Sequence, residues 1–313
     1  MTLIRKPFEL DVQTKIKALI YGQAGMGKTT LSLSTPKPLL LDFDGGVHRI
    51  NYGHQVPTVQ ISKWEDCEQV LKEDLSEFET IVIDTGGKML DYMSDYIIRK
   101  NPKMGRSNGA LTLQGFGERK GMFRQFIRQV MIMNKHLVFV AHRDTQKIDE
   151  NIRYVPMFGG SSYDDLVTEL DLVGYMEAVG KKRTITFDPT DRNDGKNTCN
   201  LPTLMEVPTV IDGEGNALKN AFMIERVINP YVANLEKRKQ EAGKFNAIIT
   251  ELKEDIALIT DAQSANDFMA RIDQYEHVGT SKAQAAQLLA SKAKELGLMF
   301  DKKEKQYAKP ATV

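Results

Sequence analysis

The stretch Gly22-Gln23-Ala24-Gly25-Met26-Gly27-Lys28-Thr29 matches the spacing G-x-x-x-x-G-K-[ST] in full. Glycines at this spacing let backbone N–H groups turn inward around phosphate oxygens. Lys28 adds a point charge at the β- and γ-phosphates, and the Thr29 hydroxyl can ligate Mg²⁺. A helix starting at Lys28 would direct its positive end at the anion. The pattern predicts a site for ATP and Mg²⁺ built from Gly22 through Thr30. Asp84 closes the run Thr80-Ile81-Val82-Ile83, where a carboxylate can hold the metal through water, the Walker B role. Asp42 and Asp44 follow Leu39-Leu40-Leu41, and either could orient an attacking water. Asp44 is the favoured base, although Asp-Gly-Gly is also common turn chemistry. His142 follows the apolar run Leu137–Ala141, where a polar side chain can sense the γ-phosphate.

These residues need elements that bring them together. Apolar runs at Ile16–Tyr21, Leu39–Phe43, Thr80–Asp84 and His136–Ala141 read as buried strands. Helical patterns start at Lys28 and cover Trp64–Leu75 and Arg119–Met133. Buried strands alternating with helices predict an α/β fold with a mostly parallel central sheet flanked by helices. Leu172–Val179 and Arg183–Phe187, joined by Gly180-Lys181-Lys182, read as a hairpin. Asp188–Asn200 reads as an exposed loop, Ala221–Ile228 as a last strand, and Asn229-Pro230 as a breaker. After Pro230 the composition favours helices. Thr260 and Gln263 suggest a capping box, and a helix over Ser281–Leu296 would end at Gly297. The expected division is a core over 1–230, a C-terminal helical extension over 231–300, and a flexible lysine-rich tail over 301–313.

Basic residues concentrate between Arg99 and Lys135: Arg99, Lys100, Lys103, Arg106, Arg119, Lys120, Arg124 and Arg128, with Glu118 the only acid. Lys120, Arg124 and Arg128 share a helix face. Phe116 and Phe123 lie nearby, and such cations and aromatics can hold phosphates and stack on unpaired bases. The alternative is a solvated helix face with Phe123 and Phe126 in the core. A second stretch, Arg143–Ser162, carries Arg143, Lys147, Arg153, Tyr154 and Phe158 and reads as a mobile loop at the same sheet edge. Arg192 and Lys196 could reach a neighbouring subunit's ATP, or simply be solvated.

Composition narrows the class. The chain has 313 residues, 41% apolar and 27% charged, which excludes a mainly disordered or collagen-like chain. Its net charge is +0, so nucleic-acid binding must rest on local patches. Cys67 and Cys199 lack metal spacing and a disulfide framework, which fits a reducing compartment. No apolar signal core opens the sequence, and no run approaches the ~18 apolar residues of a membrane helix. A soluble cytoplasmic protein with no membrane partner is expected.

Taken in order, five features resemble a RecA-type ATPase core. They are Gly22–Thr30, Leu39–Asp44, Thr80–Asp84, Leu137–His142, and Pro156-Met157-Phe158-Gly159-Gly160 leading into Leu166–Tyr175. More closely, residues from about Ile16 to Ile228 resemble the phage-encoded, AAA-type ATP-binding proteins of the RecA-like single-strand annealing group. The resemblance implies a RecA-like P-loop core that binds Mg-ATP. Asp44 would activate water where the family usually has Glu, implying slow hydrolysis, and His142 would be the polar sensor. The stretches Arg99–Glu118 and Arg143–Ser162 would contact single-stranded DNA. Lys196, with Arg192, would touch a neighbour's ATP, although Asn197-Thr198 stands where relatives tend to carry another basic residue. Such proteins form homo-oligomers on DNA, work with a single-strand binding protein, and act in the cytoplasm of a bacterial host. The implied function is ATP-dependent single-stranded DNA binding in phage recombination or annealing. The alternative is an accessory ATPase of phage replication, helicase-loader-like, that grips a protein through the helical tail. A small-molecule kinase and an inactive scaffold rank lower.

Overall fold

The computed structural model describes residues 4–5, 7–148, 150–159, 163–180 and 182–310. The chain divides into two compact units. One is Gln13–Asn234; the other is Leu235 onward with the described residues before Gln13.

The first unit holds a ten-stranded sheet. Its strands are β1 (Lys17–Gly22), β2 (Pro38–Asp42), β3 (Thr58–Gln60), β4 (Thr80–Asp84), β5 (His136–Ile148), β6 (Asn151–Pro156), β7 (Leu172–Val179), β8 (Lys182–Thr186), β9 (Lys196–Asn197) and β10 (Met205–Val207). The spatial order is β10-β8-β7-β1-β5-β4-β2-β3, with β6 beside β5 and β9 beside β7. From β7 to β3 the main path is parallel; β8 and β10 are antiparallel. The helices are α1 (Lys28–Ser32), α2 (Trp64–Val70), α3 (Gly86–Lys100), α4 (Leu113–Ile132) and α5 (Tyr163–Val167).

The continuous apolar strands are explained by burial on both faces. Leu19, Ile81, Ile83, Leu137 and Phe139 face the helix layer of α2, α3 and α4, where Met89, Met93, Phe123 and Phe126 recur at helical spacing. The alternate residues Ala18, Ile20, Val82 and Val138 are equally buried on the other face. Parallel register aligns the edge that carries the predicted site residues: Gly22 pairs with His142, Asp84 with Val140, and Asp42 with Asp84.

Several elements differ from the sequence reading. The expected loop after His142 is instead the continuation of β5 into an antiparallel hairpin with β6; Gly160, Ser161 and Ser162 lie outside the described residues. The ladder satisfies backbone groups that a loop would leave to water. Lys181 of the β7–β8 turn is also outside the described residues. Asp188–Asn200 is not simply exposed. Asn193 and Cys199 are buried, and β9 pairs with β7. The expected last strand is a π-helical segment, Met223–Ile228, whose buried Met223 and Val227 lie four apart. It leads directly into α6 (Asn229–Ala257), so Asn229-Pro230 breaks nothing. Pro230 stands directly after the π-helical turn, within a helix that continues through it.

The second unit packs the later part of α6 with α7 (Ala262–Arg271) and α8 (Ser281–Glu295) around Leu252, Phe268 and Leu289. The α7 capping box uses Asp261 and Ser264, one residue beyond the predicted pair. Gly297 follows α8 at φ 69° as expected. The stretch expected to fray forms a hairpin, β11 (Met299–Asp301) with β12 (Gln306–Ala308). Asn266 anchors it, donating to the Tyr307 carbonyl and accepting from its N–H. Among the described residues no helix is long and apolar enough to cross a membrane.

One titratable group pins the sheet. His136 is buried, and its Nδ1 accepts the Ile16 N–H at 3.2 Å. Burial, aided by the charge of Lys15, lowers its pKa to about 4. The unfolded ring titrates near ~6.5. Stability from the neutral ring is therefore complete above that pH and is lost as pH falls through about 4. Scanning calorimetry should show the melting temperature falling across this window. His136→Gln, with an acceptor but no titrating ring, should fall less steeply; equal slopes would exclude His136 as the titrating group.

Candidate functional site

The phosphate loop spans the gap between β1 and α1. Gly22 is needed at the strand end because a Cβ there would lie 2.4 Å from the Met176 carbonyl oxygen on β7. Gly25 and Gly27 have φ of 76° and 82°, the left-handed region that only glycine enters without strain. Lys28 is buried, and its Nζ donates to the Gln23 carbonyl at 2.9 Å. Burial holds its pKa below the ordinary lysine value, opposed by the charge of Asp84. The Thr29 hydroxyl donates to Asp84 Oδ2 at 2.6 Å. Burial raises the Asp84 pKa, the Thr29 bond opposes this, and the nearby charges of Asp42 and Asp44 add to it.

A hydroxyl and a half-buried carboxylate in contact form the oxygen donor pair that a hard cation such as Mg²⁺ takes. With Lys28 and the turned-in loop backbone, these residues fit Mg-ATP. They line a cavity of about 370 Å³ with Ala24, Gly25, Met26, Gly27 and Thr30.

Asp42 and Asp44 have separate roles in the geometry. Asp42 is buried and accepts backbone N–H bonds from Asp44, Gly46 and Val47 at 3.0–3.2 Å. It holds the turn that presents Asp44. The Asp44 carboxylate lines the cavity, with Arg49 Nη1 at 3.6 Å. His142 also lines it, although it sits within β5 and not at the strand end. The sequence-predicted Lys28, Thr29, Asp44, Asp84 and His142 thus meet around one space.

Among the lining residues not foreseen are Arg49, Arg183 and Asn220. Asn220 donates to the Thr30 carbonyl at 2.7 Å, and the Met223 N–H donates to Ser34 Oγ, so the chain after β10 returns to α1. These are long-range contacts with no local sequence signal.

The basic residues expected to contact DNA separate into two groups. Many have partners within the fold. Arg119 is buried, donating to Ser94 Oγ and the Gly159 carbonyl beneath the Phe116 ring. Arg99 pairs with Glu65, Arg124 with Glu169, and Arg153 with Asp194. Arg143 donates to the Tyr175 hydroxyl and lies 4.2 Å from the Tyr154 ring centroid. Lys100 and Arg192 lie over the rings of Tyr96 and Tyr154. Phe158 is 1% exposed, packed on Phe123 and Phe139, so it cannot stack on a base. Lys196 Nζ donates to the carbonyls of Val167 and Thr168. Lys120 is half-buried, whereas Lys103, Arg106, Arg128 and Lys147 are exposed. The loop before α4 is short, since α4 already begins at Leu113 behind the Thr112 cap.

A second cavity of about 550 Å³ shares Asp44, Thr85 and His142 with the first. Lys88, Phe116 and Gln146 extend it toward α4 and the β5–β6 hairpin. Tyr21, directly before the phosphate loop, has its hydroxyl 2.7 Å from the Asp194 carbonyl oxygen and 3.1 Å from that of Tyr154.

A parallel sheet, a glycine-turned loop carrying Lys28 and Thr29, and a carboxylate at the end of β4, one strand beyond β5, define a P-loop nucleotide-binding fold. Residues 14–199, more than half of the chain, match the AAA domain family, and the chain belongs to it. Among curated proteins none matches the chain significantly.

The raised pKa of Asp84 has a stability consequence. Its folded state favours the neutral acid, so ionised Asp84 weakens the fold above its unfolded pKa of ~3.9. Asp84→Asn keeps an oxygen for Thr29 and removes the charge. Calorimetry should show a melting temperature higher by roughly 2–4 °C. Titration should show Mg²⁺-dependent ATP affinity lower by about 10-fold or more. A lower melting temperature would show that the ionised pair stabilises the protein.

Proposed function

We propose that the protein is a Mg-ATP-dependent ATPase that binds single-stranded DNA in phage recombination or single-strand annealing. The observation that carries the nucleotide half is the Thr29–Asp84 bond beside buried Lys28. Lys28 would exchange the Gln23 carbonyl for phosphate oxygens. Thr29 and Asp84 would hold Mg²⁺, which supplies charge neutralisation at the phosphates. Asp44, fixed by the turn that Asp42 caps, would accept the proton of the attacking water. The single methylene of Asp44 is consistent with slow turnover.

The DNA half rests on placement. Exposed Lys103 and Arg106 precede α4, and Lys147 stands on the hairpin. Phe116 of α4 and Gln146 of the hairpin line the cavity that shares Asp44, Thr85 and His142 with the nucleotide site. Nucleotide binding at that shared edge would bias the elements that meet the strand. Assembly into oligomers on DNA follows from the RecA-like resemblance.

Fluorescent single-stranded DNA should bind more tightly with ATP than without nucleotide, and Lys28→Ala should abolish the difference. Duplex DNA should bind more weakly. Each phosphate contact on a single strand contributes roughly −0.7 to the slope of log K against log salt. The double variant Lys103→Ala/Arg106→Ala should therefore reduce that slope by about 1.4. No single-strand binding under any nucleotide condition would overturn the DNA half and favour an accessory ATPase with a protein partner.

A further inference from the structure

The phosphate-loop motif does not account for every cation around its cavity. Lys28, Arg49 and Arg183 all line it. Lys28 is engaged by the Gln23 carbonyl, and Arg49 faces Asp44. Arg183 is exposed, and its guanidinium has no hydrogen-bond or ion-pair partner among the described residues. It nevertheless lies against the loop: a Cβ built on Gly27 would stand 3.0 Å from Arg183 Nη1. The residue is carried on β8, between Ala178 of β7 and Val207 of β10. Its backbone is therefore held on both sides, and only the side chain is free to move.

We propose that Arg183 contacts the phosphate chain of the nucleotide held by its own subunit, and is a catalytic residue of the site. This rests on the Mg-ATP reading above. Arginine presents planar donors that match phosphate oxygens two at a time, and such charge-assisted bonds are stronger than neutral ones. The exposed guanidinium keeps its hydration until an anion enters the loop. The cations once expected from a neighbouring subunit are occupied elsewhere: Lys196 holds two carbonyls and Arg192 lies over Tyr154. Arg183 makes phosphate recognition complete within one chain.

Calorimetric titration of Mg-ATP, without DNA, into wild-type protein, Arg183→Ala and Arg183→Lys tests this. Arg183→Ala should weaken binding by about 10- to 100-fold. Arg183→Lys should recover part of the affinity but little of the single-turnover hydrolysis rate, because it keeps the charge and loses the fork. Mixing Arg183→Ala with Lys28→Ala separates own-chain from neighbour contact. An own-chain residue leaves the mixture as inactive as its parts; restored hydrolysis would overturn the assignment in favour of a neighbour's site. Wild-type affinity in Arg183→Ala would overturn it outright, as would a loss of DNA affinity alone. Failure of the wild-type protein to bind Mg-ATP would instead remove the nucleotide reading, and the assignment with it.

Discussion

The hydrogen bond from the Thr29 hydroxyl to Asp84 joins two strands' worth of architecture at one point. Thr29 is positioned by a loop that leaves β1, and Asp84 by the end of β4, with β5 lying between them. The two meet only if three parallel strands keep their register and if the loop turns through its two left-handed glycines. Buried charge makes this arrangement costly. Burial pushes Lys28 toward its neutral form and Asp84 toward its acid form, while their mutual attraction opposes both shifts. Such a pair is only partly satisfied by protein groups. It gains from ligands of the opposite sign to each member, an anion at Lys28 and a cation at Asp84. The apolar core beneath supplies the stability that this arrangement takes away.

The sequence made the central strands and the phosphate loop legible because their signals are local. Four uninterrupted apolar runs can be read without knowing what covers them, and each glycine of the loop has its own conformational reason. Asp84 could be placed because it closes a strand at the sheet edge, and His142 because the apolar run before it ends level with Gly22 on β1. Other elements lacked such signals. The polar residues beyond His142 conceal a strand whose partner is found only by pairing with β6. The apolar run before Asn229 fits either period, and burial at a spacing of four decided for a helix.

Charge was the least legible property. The segment from Arg99 to Arg128 contains one acid, yet folding brings Glu65 to Arg99 and Glu169 to Arg124 from outside it. A basic run along the chain is therefore not a basic surface in space. The same holds for Arg153, neutralised by Asp194 from 41 positions away. What remains available for an anion is a smaller set, divided between the loop before α4, the far part of α4, the hairpin tip and Arg183.

The close approach of Gly22 to the Met176 carbonyl links two parts of the site that the motif treats as separate. Met176 lies on β7, and β7 carries the hairpin on which Arg183 stands. Even one methyl group at position 22 would force β1 and β7 apart at their shared edge. The hairpin would move with β7, drawing the guanidinium off the loop. The first glycine of the motif thus acts as a spacer between sheet strands. Motif and hairpin form one mechanical assembly, in which a change at either end alters the gap spanned by the other.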